Sequence, residues 1–441
     1  MQLHRRIKNV QLEKMTKFKE ALDIVLRYSE KAQLPSEKIN VVDSLDRVLA
    51  ENIYSKIDFP DFDNSAVDGY AVKSSDCKKS GIELEVIGEI KAGTSIEETF
   101  RFPIKSGKAV KIFTGAVVPP GADAIVPVEE TIPERLPCGS KIKILNSVKK
   151  GQHIRRKGEN FRKGELVLKK GKIIRPQEIG LLIQLGHREI KVSKKPRVGV
   201  LSTGDELVEP GEKIKPGSGK IFNINSYTLS SAVLSAGAIP VSLGVARDKK
   251  SEIKSKIKKG LLKTDILLIS AGISVGEYDY VKQALFELNV KQKFWKVQQR
   301  PGQPLFFGVV YPRGAFPKSH KLLDSPKLVF GLPGNTVSCL VCFNQYVLPS
   351  ILKIQGAEPS KEITINPVVI AESKQEIKVK PGKRYFLRGI ATQKNGKYSV
   401  VLAGAQGSGI LKGLSDANCL IILDEKTSVI KPKGGVIIQL I

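Results

Sequence analysis

The stretch from Lys263 to Asp279 most narrows what this chain can fold into. Its centre, Leu267 to Ser270, lies in a short apolar run, too brief for a helix and typical of a strand covered on both faces. The run breaks into a glycine-containing loop, then into Glu277 and Asp279. Beyond them Tyr280, Val281, Ala284, Leu285 and Leu288 recur at helical spacing. Strand, glycine loop, carboxylate and helix in that order are how an open α/β sheet presents a ligand site at the carboxyl ends of its strands.

The same alternation runs on either side. Arg197 to Ser202 reads as a buried strand ending in Thr203-Gly-Asp-Glu206, Asn225 to Ala236 as a helix, and Pro240 to Val245 as a strand ending in Ala246-Arg-Asp248. Between Lys249 and Lys263, Ile253, Ile257 and Leu261 fall at helical spacing, so the lysines there form the wet face of a sheet-covering helix. Leu305 to Val310 and Lys327 to Gly331 are further strands. The second runs into Gly331-Leu-Pro-Gly-Asn335, with Asn335 placed to cap an apolar helix from Val337 to Leu352. This pattern predicts a mostly parallel sheet with right-handed crossovers.

The flanks read differently. Lys17 to Ser29 is an amphipathic helix, and Val41 to Ile53 mixes a short strand with a helix. Asp58 to Val72 is dense in turn residues. From there to about residue 150, short strands at Leu84–Ile87, Ala109–Thr114, Ala124–Val128 and Lys141–Leu145 predict a small all-β or α+β module. Lys150 to Glu159 is a basic loop bounded by glycines. Pro176 to Leu185 reads as a helix and Glu189 to Val192 as a strand. After Pro359, short alternating strands and glycines predict a separate C-terminal β-barrel or sandwich.

At 441 residues the chain exceeds one hydrophobic core, so several domains are expected. A formal net charge of +28 raises nucleic acid as a partner, but the lysines are dispersed. Aromatic residues make up only 6% and none interleave with the basic runs as a stacking platform requires. An anionic small molecule explains a positive field equally well. Five scattered cysteines suit a reducing cytoplasm rather than a disulfide framework. Cys339 and Cys342, one helical turn apart, read as small core residues, with no second pair at zinc spacing. No apolar run is expected to reach the roughly 18 residues of a membrane helix, and the first residues lack the apolar centre of a signal peptide.

Three strand ends deliver acids to one edge: Asp205 and Glu206, Asp248, then Glu277 and Asp279. In so basic a chain these carboxylates repel one another unless a cation sits among them, and a hard divalent ion such as magnesium takes oxygen ligands of this kind. Singly, Asp279 reads as a helix N-cap and Asp205 as a turn residue; their convergence argues for a site. Thr203-Gly204, Gly272 to Gly276 around Ser274, and Gly331 to Asn335 with Pro333 and Gly334 let main-chain N–H groups approach an anion. Lys296 and Arg300 add cations near the same edge. The chain has no phosphate loop ending in Gly-Lys-Ser/Thr and no G-x-G-x-x-G after the first strand, which argues against a nucleoside triphosphatase or a dinucleotide dehydrogenase.

Taken in order, Phe62 to Ala71, Ile112 to Ala116 with Pro119 to Asp123, Gly151 to Glu159, Ser202 to Leu207, Gly272 to Asp279, Arg300 to Pro304 and Gly331 to Asn335 resemble the molybdopterin molybdenumtransferase family, the MoeA type and the gephyrin E-domain. Ala405 to Gly409 and Ser415 to Asn418 continue the likeness. The resemblance implies a multidomain α/β and β subunit. Its parts are an α/β molybdopterin-binding domain (16–35 and 188–361), a β-rich connecting domain (36–54 and 163–187), an inserted module (55–162) and a C-terminal β-barrel-like domain (362–441). It also implies a cytoplasmic homodimer whose cleft is completed by the partner's inserted module. The implied substrates are molybdate and adenylylated molybdopterin, with AMP released and a molybdopterin adenylyltransferase as partner protein.

By the same likeness Asp68, Glu206, Asp248, Asp279, Lys296 and Arg300 are catalytic, and Glu206, Asp248 and Asp279 hold Mg2+. Thr114, Arg155, Thr203, Asp205, Gly272, Ser274, Gly276, Pro333, Gly334, Asn335, Arg388 and Ser408 contact substrate. Arg388 and Ser408 approach the molybdate from the last domain. The chain departs from the family's pattern at Asn160, often Asp, at Arg300 and Gln303, usually Lys, and at Thr336, usually Pro. Gln303 removes a cation from the oxyanion site, which leaves a tungstate-handling homologue as one alternative and a non-catalytic scaffold or cofactor-delivery protein as another.

Overall fold

A computed structural model describes residues 15–136, 139–272, 280–311, 325–357 and 367–441. Two compact units are present. The first takes in the described residues of Met1–Glu51, Lys170–Ile179 and Arg188–Ile441, the second those of Asn52–Lys169 and Gly180–His187.

The first unit is built on a six-stranded sheet. Its order is Ile239–Ala246, Arg197–Thr203, Ile266–Ser270, Lys327–Leu332, Phe306–Val310 and Lys291–Trp295. The first three pairings are parallel and the last two antiparallel, so five of these six strands run one way and Phe306–Val310 runs against them, a mostly parallel sheet as expected with one reversed strand. The segment between Trp295 and Phe306 is too short to carry a crossover helix, so its two strands run in opposite directions. Ile266–Ser270 is buried at every position, between Arg197–Thr203 and Lys327–Leu332. Its side chains alternate between two cores. Ile266 and Leu268 pack with helices Phe18–Lys31, Ile224–Ser235 and the long helix after Asn335, through Val25, Leu229 and Ile351. Leu267 and Ile269 pack with Lys250–Lys263 and Tyr280–Glu287, through Ile257, Leu261 and Leu285.

Helix Lys250–Lys263 buries Ile253, Ile257, Gly260 and Leu261. Lys250 and Lys254 on its wet face meet Glu287 at 2.6 and 2.7 Å, and these two ammonium groups hold the Glu287 carboxyl down to about 2. Contrary to the expectation about apolar runs, Thr336–Ile354 is long and apolar enough to cross a membrane. It is a core helix instead, with 72% of its most apolar window buried in the protein. Cys339 and Cys342 lie on it as buried free thiols, and burial pushes Cys339 up to about 12. A π-helical turn interrupts it at Phe343–Val347.

The expected helix within Val41–Ile53 is a correction: a 3-10 turn covers Val41–Asp43 and isolated bridges follow. Asn40 accepts from the Val42 N–H at 3.2 Å and closes that turn locally. The buried Arg47 then pairs with Glu37 and the Ser193 carbonyl. At the end of the chain, Arg384–Lys394, Lys397–Leu402, Val368–Ser373, Gly435–Leu440 and Cys419–Leu423 pair in that order. Cys419–Leu423 also pairs with Arg384–Lys394, which closes a five-stranded barrel. Gln299–Arg300 adds to this barrel, parallel to Arg384–Tyr385, and so ties the loop after Trp295 to it.

The second unit carries its own six-stranded sheet, in the order Ala124–Pro127, Gly69–Val72, Lys108–Ile112, Glu83–Ile90, Gly139–Ile144 and Thr131–Leu136. Two buried clusters, one around Tyr70, Leu84 and Val126 and the other around Ala71, Val110 and Ile125, follow the period-2 alternation of these strands.

Candidate functional site

The chain leaves the central strand of the first unit at Ala271 and Gly272, both with positive φ, +70° and +71°. Only glycine fits the second position: a Cβ there would lie 2.6 Å from Val281 Cγ2 and 2.8 Å from Thr203 Oγ1. This turn opens onto a cavity of about 1030 Å³, which Arg300 to Pro304 and Pro333 to Asn335 also line. From the barrel it receives Lys378, Lys380, Lys383, Arg388 and Ser408. Of the predicted contacts, Gly272, Arg300, Pro333, Gly334, Asn335, Arg388 and Ser408 therefore share one space. Asn335 stands at the N-cap of the long helix but makes no side-chain cap; its amide instead donates to Ser408 Oγ at 3.1 Å. The cap is forgone because the side chain bridges the α/β sheet edge to the barrel.

Arg388 is the most unusual group in the cavity. It is 2% exposed, its Nη2 donates to the Ala405 carbonyl at 2.5 Å, and its main-chain N–H donates to Gln406 Oε1 at 2.8 Å. Its Nε is buried with no partner, and among the described residues no carboxylate pairs with it. Burial pulls its pKa below the ordinary arginine value. A guanidinium kept dry without an acid creates a site of strong positive potential.

The loop bearing Arg300 is fixed from beneath. Gln299 is wholly buried; it accepts from the Tyr346 hydroxyl at 2.5 Å and donates to the Pro301 carbonyl at 3.1 Å and to Cys342 Sγ at 3.5 Å. Gly302, at φ +89°, lies so close that a Cβ would come within 2.4 Å of Cys342 Sγ. Arg300 itself is exposed at the cavity. Lys296 is turned elsewhere: its ammonium lies 5.4 Å from the centre of the Trp295 ring, and it does not line the cavity.

A second cavity of about 360 Å³ shares Ala271, Gly334 and Asn335 with the first and is lined by Glu206, Asn225 and Ser270. Asn225 donates to Ser270 Oγ and to the Gly334 carbonyl, each at 2.6 Å. Its Oδ1 is buried without a partner at the edge of this cavity; Thr203 Oγ1 is likewise unpartnered but lines neither cavity. The loops after Thr203 and Ala246 meet as expected. The Asp205 N–H donates to Asp248 Oδ2 at 3.3 Å and the Asp248 N–H to Asp205 Oδ1 at 3.2 Å. Neither acid lines the two cavities. Ser274, Gly276, Glu277 and Asp279 lie outside the described residues. Among the described residues no three candidate metal ligands gather, so the described acids do not by themselves complete a magnesium site.

In the second unit, Asp68 Oδ1 accepts from both the N–H and the hydroxyl of Thr114, each at 2.7 Å. The main-chain bond chiefly, with the hydroxyl, holds the Asp68 carboxyl below the usual carboxylate range. Arg155 is exposed on the short strand Ile154–Arg155, paired with Asn64–Ser65.

Asn225, Gln299 and Lys383 were absent from the sequence-derived set. Each acts through partners far along the chain, and a single amide or lysine carries no local motif.

The chain matches three family descriptions in sequence order: "MoeA N-terminal region (domain I and II)" over residues 16–186, "Probable molybdopterin binding domain" over 199–353, and "MoeA C-terminal region (domain IV)" over 371–433. It is 36% identical over 399 residues to the molybdopterin molybdenumtransferase of Haemophilus influenzae, covering 89% of this chain and 92% of that one. The protein of the same name from Nostoc sp. is 33% identical over 416 residues, covering 93% and 90%. A crystal structure of the molybdopterin biosynthesis MoeA protein from Pyrococcus horikoshii OT3 superposes with a TM-score of 0.77 at 30% identity, over 97% of this chain and 100% of the other. The chain belongs to the MoeA family of molybdopterin molybdenumtransferases, enzymes of molybdenum cofactor biosynthesis.

Proposed function

We propose that this chain takes adenylylated molybdopterin and molybdate, transfers molybdenum to the dithiolene of the pterin and releases AMP. The observation that carries this reading is Arg388: a dry guanidinium with no acid partner, in a cavity it shares with Ser408 and Arg300. Such a group is stable in place chiefly when an anion joins it, and molybdate is a tetrahedral dianion. In this reading Arg388, Ser408 and Arg300 hold the oxyanion. Main-chain N–H groups at Gly272, Gly334 and Asn335 approach the nucleotide-linked pterin, and Asn225 offers it an unpartnered oxygen. As the phosphoanhydride-like linkage breaks, negative charge grows on the departing phosphate, and cations already in position stabilise it without reorganising.

Magnesium enters the proposal through Glu206, Asp248 and Asp279 and would supply charge neutralisation to the phosphate when bound; the loops that carry Asp205 and Asp248 are tied together by reciprocal main-chain N–H bonds to the two carboxylates. A second copy of the chain is proposed to bring Asp68, Thr114 and Arg155 to the cleft, with Asp68 kept ionised by Thr114. The test is AMP release by the purified full chain, with and without molybdate. Molybdate-dependent release, matched by molybdenum appearing on the pterin, is expected. Binding of adenylylated molybdopterin without any release of AMP contradicts the reading.

A further inference from the structure

Gln303 stands where the resembled family usually has a lysine, yet a cation is present at that place. Lys383 Nζ donates to Gln303 Oε1 at 2.7 Å, and both residues line the large cavity. Strand pairing fixes this meeting. Gln299 is in register with Arg384, Arg300 with Tyr385, and the Arg384 N–H donates to the Gln298 carbonyl at 2.9 Å. The residue before Arg384 is thereby held against the loop after Arg300.

The chemistry of the contact is informative. Lys383 is half-buried and, among the described residues, has no carboxylate partner; its acceptor is a neutral amide. An ammonium carries three N–H donors, so Gln303 leaves two of them for another acceptor. Lys378, which lines the same cavity, is already paired with Glu376 at 2.6 Å. A lysine at position 303 would instead place two ammonium groups within hydrogen-bond distance, which repel strongly when partly buried.

We propose that Lys383 is an oxyanion-contacting residue of this site and that Gln303 is its positioning residue, the charge having moved from the Arg300 loop to the barrel. This rests on the transferase reading above. The ligand class is a tetrahedral oxometallate dianion.

The experiment compares the full-length chain with K383Q, Q303K and the double variant. Equilibrium dialysis against molybdate alone is read by elemental analysis, and the KM for molybdate and for adenylylated molybdopterin is measured in the AMP-release assay. K383Q is expected to weaken molybdate binding and raise its KM by about tenfold, the scale of one charge-assisted contact, with the KM for the pterin nucleotide little changed. Q303K alone is expected to weaken binding through repulsion. The double variant, which restores one cation, is expected to recover to within about threefold of the parent, the residual cost of imperfect geometry. Unchanged molybdate binding in K383Q overturns the proposal, as does a double variant no better than K383Q or tighter binding by Q303K alone. Lys383 is not a core residue, so matching melting temperatures separate these outcomes from misfolding. If the parent released no AMP at all, the proposed reaction would fail, while dialysis, which needs no turnover, still decides Lys383.

Discussion

Two charged side chains have opposite effects on local stability. A buried guanidinium without a carboxylate is costly to keep, and replacing such groups by apolar ones is often neutral or stabilising by about 1–4 kcal/mol. Arg388→Met is therefore expected to melt at the same or a higher temperature than the parent. Its molybdate-dependent AMP release should fall by about two orders of magnitude, the scale of one lost charge-stabilising donor. A large drop in melting temperature would assign Arg388 to the fold instead. Asp68 is the second case. Its carboxyl is depressed by Thr114, so its stabilising contribution is present above the ordinary carboxylate range and is lost as pH falls through its lowered value. In Thr114→Ala, which keeps the main-chain N–H, the Asp68 titration midpoint, followed by carboxyl NMR, should rise only part of the way toward the ordinary value; an unmoved midpoint contradicts the share assigned to the hydroxyl. The sequence marks Asp68 and Thr114 only through family likeness, because residues 46 apart share no local pattern.

At the scale of elements, the buried amide of Gln299 joins a strand, a loop and the π-helical turn of the long core helix. Tyr346 lies in that turn, and its ring is buried. Removing its hydroxyl leaves the Gln299 carbonyl oxygen buried and unpaired, which costs about 1–3 kcal/mol. Tyr346→Phe should lower the urea midpoint accordingly, and the loop presenting Arg300 should lose protection in hydrogen exchange. An unchanged midpoint would mean that water or another donor replaces the hydroxyl. The legibility of elements follows the same division between local and distant partners. Ile266–Ser270 was readable as an unbroken apolar run and the Ile253, Ile257 and Leu261 stripe as a helical period, because burial on two faces or on one imposes these patterns. The reversed direction of Phe306–Val310 was not, because an apolar strand looks the same whichever way it runs, and the mostly polar Lys291–Trp295 carries no apolar run that marks a strand. Val41–Asp43 read as part of a helical region, although one Asn40 side chain closes a turn there.

Over the whole molecule, the charge of +28 is larger than any one site requires. Dispersed lysines add to a long-range field that draws anionic substrates and is screened within about 10 Å at 0.1 M salt. The kcat/KM for adenylylated molybdopterin should therefore fall steadily with added salt while kcat changes little; a salt-independent kcat/KM contradicts steering. The division into α/β sheet and terminal barrel was legible from the change in periodicity near Pro359. The closure of the cavity was not: Arg388 and Ser408 line it beside Arg300, where Gln299–Arg300 pairs with the barrel across a long stretch of sequence. On the proposed function, the oxyanion sits at this junction. Anomalous diffraction at the molybdenum edge, from crystals soaked with molybdate and AMP, tests it most directly. A molybdenum peak within contact distance of Arg388 and Ser408 is predicted, whereas a well-occupied peak elsewhere, with that cavity empty, contradicts it.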